Sequence, residues 1–201
     1  MLNLPKQTEI SKQLPKKAIF EKFSFTSAQK EKFNADISRI TIVNEISPNT
    51  VNIAKGENVS AIYVLFVLLK TKNYSPNIIT QLTKLIPQNM LLCLAYKEEC
   101  RLALFHGKLI ESDWQNTAEC SVALQGLDLD RVWENFILQV GKITIKDGNT
   151  LDGQIAQNDR REQIEKQMSV LQSKIRKEKQ LNKQVELNNQ IKKLKAEMEN
   201  I

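Results

Sequence analysis

The sequence predicts an α+β fold: a mainly antiparallel sheet with helices on one face, followed by a long C-terminal helical, coiled-coil arm. Three observations predict it. Apolar, β-branched runs of strand length fall at 40–46, 59–70, 89–96 and 101–110, between segments of helical period. Strands gathered between helices, without strict strand–helix alternation, are the α+β pattern. From Gln154 to Ile201 there is no Gly, Pro, aromatic residue or Cys, so the highly charged C-terminal stretch reads as helix. The roughly 150 residues before it match one domain with its own core. The expected organisation is a basic N-terminal segment at 1–25, an α+β core at 26–150 and the arm at 151–201.

Pro5 and Pro15 break any helix in the first segment, though Ile10 and Leu14 allow two turns between them. Thr26-x-x-Gln29 has the form of a capping box, and Phe33, Ile37 and Ile40 follow at helical spacing, so a helix is expected to about Arg39. Residues 40–46 read as a strand that stops at the Ser47-Pro48-Asn49 turn. A short strand over 50–54 would be closed by Gly56. The run through Ile62, Val64, Leu65, Phe66, Val67, Leu68 and Leu69 is apolar enough for a strand buried on both faces. Ser75-Pro76 opens a helix with Ile78, Ile79, Leu82, Leu85 and Ile86 on one side, ended by Pro87. Residues 89–96 and 101–110 form a hairpin around Lys97-Glu98-Glu99, the second strand running through Gly107. Residues 120–125 are one more strand, and Asp128 or Asp130 caps a helix to Val140 with Val132, Trp133, Phe136, Ile137 and Val140 facing inward.

The net charge of +6 is uneven: residues 1–33 and 159–201 each carry +4, and the middle carries −2. Basic ends suit contact with nucleic acid or an acidic protein face, and equally suit solvated helices. The longest apolar run, near 62–69, is too short to span a bilayer, and the opening residues have no signal-peptide form. A cytoplasmic protein with no membrane association is expected.

Enzyme signatures are sparse. There is no glycine-rich phosphate loop and no G-x-S-x-G. His106 is the one histidine, and a general base needs a partner. Cys93, Cys100 and Cys120 have no C-x-x-C spacing, so they are expected to be buried, reduced thiols, with no metal and no cofactor. A metal-dependent nuclease would need two carboxylates and a Lys together; Glu45, Glu57 and Lys70 are the candidates, while Glu98, Glu99, Glu111 and Asp113 sit at strand ends. No catalytic residue is assigned. Lys12, Lys16, Lys17 and Lys22 lie beside Phe20, Phe23 and Phe25, an interleaving that can follow a nucleic-acid strand; the alternative is that the rings anchor the segment to the core.

The arm carries two heptad seams. Ile164, Met168, Leu171 and Ile175 form the first; Leu187, Ile191, Leu194, Met198 and Ile201 form the second. They are out of register, so 176–186 is either a stutter in one coil or a bend between two helices. Leu181 and Val185 bridge them weakly. One continuous helix from 159 to 201 would be about 65 Å long, and so narrow a stripe needs a partner: a second copy, the arm itself, its own domain or another protein. Leu181, Asn182, Val185, Leu187 and Asn188 are the expected docking element, with the seam residues beside them.

Several motifs resemble an uncharacterised bacterial family bearing a domain of unknown function. They are Met1-Leu2-Asn3-Leu4-Pro5-Lys6, Pro15-Lys16-Lys17, Asn52-Ile53-Ala54, Ile86-Pro87, Gly126-Leu127-Asp128 leading into Val132-Trp133-Glu134-Asn135-Phe136, and Leu181-Asn182-x-x-Val185-Glu186-Leu187-Asn188. In the last of these, Phe often precedes the first Asn in the family. The resemblance implies no activity. It implies a genomic setting near DNA methyltransferases and helicases of restriction or anti-phage loci. The functional expectation is an accessory subunit without catalysis that docks such a partner, or a second copy of itself, through the arm. Stand-alone DNA or other nucleic-acid binding is the alternative, and a metal-dependent nuclease the second.

Overall fold

Strand-forming sequence and burial coincide in the middle of the chain. A computed structural model describes residues 2–201; Met1, the first residue of the opening motif, lies outside them. The chain divides into two compact units, Met1–Ile143 and Thr144–Ile201.

The first unit is built on a seven-stranded sheet. Its strands are β1 (Glu9–Gln13), β2 (Ile37–Ile46), β3 (Ile62–Leu69), β4 (Asn89–Tyr96), β5 (Glu99–His106), β6 (Lys108–Glu111) and β7 (Gln115–Asn116). The order is β1 through β6 in sequence, with β7 also pairing β5. Every pairing is antiparallel except β3 with β4. That parallel pair is joined through α3 (Pro76–Leu82), since parallel neighbours need a crossover. β3 and β4 are the central strands, and Ile62, Val64, Leu65, Val67 and Leu91 to Leu94 are all fully buried. This is why their sequences are continuously apolar.

Helices α1 (Lys16–Phe23), α2 (Ser27–Asp36) and α3 cover one face, as expected. Ile19, Phe33, Ile78, Ile79 and Leu82 pack there with Ile40, Ile42, Leu65, Val67, Leu92 and Leu94. The structure adds a layer on the other face. Leu104 pairs with Ile110, and a Cβ on Gly141 would lie 3.2 Å from Ile110, so α4 (Leu129–Gly141) packs on the side opposite Ala103. Val132, Trp133, Phe136, Ile137 and Val140 of α4 are buried, as its sequence predicts.

Four expectations are corrected. The capping box at Thr26 forms, but α2 ends at Asp36, not near Arg39. Ile37 and Ile40 belong to β2 and pair with Leu69 and Val67. A register irregularity between Ile37 and Arg39 lets residues three apart share one face, which imitates helical spacing. Residues 50–54 are a turn with one isolated bridge, Ala54 to Asp128, because Thr50 Oγ1 donates to the carbonyls of Glu45 and Ser47. The expected strand over 101–110 is two strands, folded back at Gly107, whose φ of +67° is the left-handed region that favours glycine. Residues 120–125 make only the bridge Ser121 to Leu2; the short β7 lies just before them and has no periodicity to announce it.

The second unit is a pair of helices, α5 (Leu151–Lys177) and α6 (Leu181–Glu199), packed on each other. The two-seam arm therefore bends and folds on itself. No helix among the described residues is long and apolar enough to cross a membrane.

Candidate functional site

The helix pair holds all the expected docking residues. Thr150 caps α5 by accepting from Gly153 N at 3.1 Å, and Lys174, Arg176 and Lys177 in the last turn oppose the negative end of its dipole. Glu178 then leaves helical geometry, and its Oε1 accepts from Lys179 N and Gln180 N at 2.8 and 2.9 Å. Gln184 Nε2 donates to Glu178 O at 2.7 Å, which ties the start of α6 to the turn. The bonds from Gln180 and Lys179, with Lys183 nearby, hold the Glu178 carboxyl below its ordinary range although desolvation opposes them.

α6 runs back along α5, so that Arg160 meets Glu197, Nε at 2.7 Å. Between these ends Ile164 is fully buried and Ile191 nearly so. Met168, Leu171, Ile175, Leu187, Leu194 and Met198 are half-buried; Asn182 and Asn188 are exposed. Leu181 and Val185 are 72% and 51% exposed, and Val170 55%. Val170, Leu171 and Leu194 line an open groove of about 570 Å³ edged by Lys166 and Lys193. A more polar hollow of about 420 Å³ lies near the turn, among Lys174, Lys177, Lys183, Glu178, Glu186 and Leu187.

The basic N-terminal cluster is split between structure and solvent. Lys16 Nζ donates to Ile37 O and Asn34 Oδ1, and Lys70 Nζ to Asn34 O, so both close the carbonyl end of α2. Burial, then the nearby Lys70 charge, lowers the Lys16 ammonium pKa. Lys12, Lys17 and Lys22 are exposed. Phe20, Phe23, Phe25 and Phe33 form one cluster with centroids 5.1 to 5.9 Å apart, so these rings anchor the segment to the core.

The nuclease candidates do not converge. Glu45 lies opposite Tyr63 at one end of β3 and Lys70 follows its other end, roughly 23 Å away along a strand. Glu57 lies in a loop where its N–H donates to Asp130. Three of the four other acids are engaged: Glu99 with Lys72, Asp113 with Lys142, and Glu111 with Tyr74 and Arg101. His106 is half-buried at the end of β5, across from Lys108.

Around Glu111 stands a dense polar cluster that periodicity did not reveal. Tyr74 OH donates to Glu111 Oε1 at 2.5 Å, Arg101 Nη1 to Tyr74 OH at 3.2 Å, and Arg101 Nε to Ser112 O at 2.9 Å. Lys72 and Arg101 both lie over the Trp114 ring. Burial, then the bond to Glu111, pushes the Tyr74 phenol well above its ordinary pKa. Its heads are matched to one another, so the cluster braces β5, β6 and the β3–α3 loop.

The structure also gathers the three cysteines that the sequence shows as scattered. Their sulfurs all lie within 4.8 Å of one another, and all three residues are buried. Cys93 is opposite Leu102 and Cys100 opposite Ala95, so both project from one face of the β4–β5 pair, and Cys120 reaches them from the segment after β7. Thiol hydrogen bonds from Cys100 and Cys93 draw the Cys120 pKa down; bonding to Cys100 raises Cys93, and bonding to Cys120 raises Cys100. Spacing along the chain could not show this, because strand register makes the convergence.

The family model described as Domain of unknown function (DUF4391) matches residues 2–198. The chain belongs to this family. No curated protein and no solved structure matches it.

Three of the sequence motifs have a clear place in the geometry. The Gly126-Leu127-Asp128 motif starts α4: Asp128 accepts from Arg131 N at 2.9 Å, and a Cβ on Gly126 would come within 2.8 Å of Val132 N. Ala54 of Asn52-Ile53-Ala54 accepts from Leu129 N at 3.0 Å, so these two motifs meet at the head of α4. The Leu181 to Asn188 motif is the first two turns of α6 and carries the exposed Leu181 and Val185.

Proposed function

We propose that this chain is a non-catalytic interaction subunit that docks a protein partner through its C-terminal helix pair. The observation that carries this reading is apolar surface on the helices: Leu181, Val185 and Val170 are more than half exposed, and Val170 lines a groove with Leu171 and Leu194. Exposed apolar patches of this kind mark interaction sites. The genomic setting that the family resemblance implies makes the partner a helicase or DNA methyltransferase of a restriction or anti-phage complex, acting in the cytoplasm.

The test is co-expression with the helicase or methyltransferase encoded beside it, using wild type and a Leu181→Lys, Val185→Lys double variant. Both positions are exposed, so the circular dichroism spectrum should be retained while co-elution is lost. Co-elution unchanged in the folded double variant rejects the reading.

Nucleic-acid binding is the second reading, supported by the exposed Lys12, Lys17 and Lys22. It requires affinity that falls steeply with salt. No binding of duplex or single-stranded DNA at low ionic strength ends it.

A further inference from the structure

We propose that Cys93, Cys100 and Cys120 bind one thiophilic divalent ion of the zinc class, which clips the segment between β7 and α4 to the sheet. The geometry fits. Zinc–thiolate bonds of about 2.3 Å at a tetrahedral centre place sulfurs about 3.8 Å apart. The sulfurs here lie within 4.8 Å of one another, so about an ångström of closure by χ rotation completes three corners. The fourth corner is left to a water or a neighbouring polar side chain. Thr117 Oγ1 is enclosed, next to Cys100, and has no hydrogen-bond partner of normal geometry; the Gln115 side chain neighbours Cys120.

A disulfide fits less well. Cys93 and Cys100 are diagonal neighbours in an antiparallel ladder, because Cys93 opposes Leu102 and Cys100 opposes Ala95. Diagonal Cα atoms are roughly 7–8 Å apart, beyond the reach of about 4.4–6.8 Å of a disulfide. Any bond from Cys120 to one of them would also leave the third thiol unmatched. The three thiols can stay buried while neutral; on binding they ionise, and a divalent ion offsets two of the three charges.

The placement gives the ion a purpose. After β7 the chain runs without regular structure to α4, held by the Leu2–Ser121 bridge and by Gln139 bonding Ala123 at 2.8 and 3.0 Å. Cys120 lies in that stretch, whereas Cys93 and Cys100 lie on strands. An ion shared by the three ties the irregular segment to the paired strands β4 and β5, and so seats the start of α4.

The experiment uses the full chain produced in zinc-supplemented medium, dialysed, and analysed for metal by mass spectrometry. One zinc per chain is expected. Cobalt(II) in its place should show a sulfur-to-metal charge-transfer band and tetrahedral d–d absorption. Cys120→Ser should weaken binding by at least about 100-fold and abolish the zinc-dependent rise in Tm. Cys120→Ala is the second variant, in case the serine hydroxyl disturbs folding. A folded wild-type chain that takes up neither zinc nor cobalt at micromolar concentration overturns the proposal. So does undiminished binding in both variants, or a chain mass short of two hydrogens that marks a disulfide from Cys120.

Discussion

In the sheet unit most apolar side chains leave solvent, with Leu127 at 91% exposure the clearest exception; in the helix pair, most of them stay half in it. Phe33, Ile37, Ile62, Leu65, Ile79 and Phe136 are all within a per cent of complete burial, whereas in the helix pair only Ile164 is, with Ile155 and Ile191 close behind. The difference is geometrical. A sheet covered by helices encloses a volume, while two helices share only a seam, so residues flanking it keep one side in water. The sheet unit thus buries most of its apolar surface within itself. The helix pair has apolar surface to spare, which is what a docking element needs and what a free-standing unit cannot afford.

The strongest challenge to this contrast is Phe33→Ala, which should cost about 3–5 kcal/mol in urea unfolding of the sheet unit. A loss under about 1 kcal/mol would show that the core is looser than its burial implies. Ile164→Ala comes next. With fewer neighbours to leave a cavity, it should fall at the lower end, about 2 kcal/mol, and lower the far-ultraviolet helical signal. A cost equal to that of Phe33→Ala would erase the contrast. Hydrogen exchange sharpens it: amides of β3 and β4 should exchange only by global unfolding, and those of α6 by faster local opening. Asp128→Ala removes the cap on α4 and should cost about 1 kcal/mol. Arg160→Ala should cost about 0.2–1 kcal/mol, with half its pair in solvent, and the loss should shrink in salt. The smallest effect belongs to Glu178. Its folded pKa is depressed, so its contribution is full above the ordinary value of 4.5 and is lost as pH falls through the lowered one. Acid should therefore loosen the turn before the sheet, seen as earlier exchange at Lys179 and Gln180; simultaneous loosening would contradict it.

Much of the fold was legible in the residues. The Thr26–Gln29 capping box, the Asp128 cap, the central strands and the change of seam register over 176–186 are all local patterns, and local patterns survive into the structure, where the last of them is a bend at Glu178. The misreadings share one cause. At Ile37 and Ile40 a strand irregularity copied helical spacing, and at Gly107 a single residue reversed a strand that composition alone would continue. The candidate sites divide in the same way. Exposed Leu181 and Val185 lie on a motif visible in the sequence, whereas the thiol cluster and the Tyr74–Arg101–Glu111 network join residues brought together only by the tertiary fold, from strands and from the loops beside them.

By itself the sequence determined the class of fold, the places where most helices begin, the apolar centre of the sheet and the mismatch between the two C-terminal seams, because each depends on neighbours a few positions apart. The tertiary structure alone decided that the two seams close on each other, that Glu45 and Lys70 stand at opposite ends of a ladder, and that three cysteines spread over 28 residues meet. Those outcomes depend on strand register and helix reversal. Register is a relation between distant segments, and spacing along one segment carries no record of it.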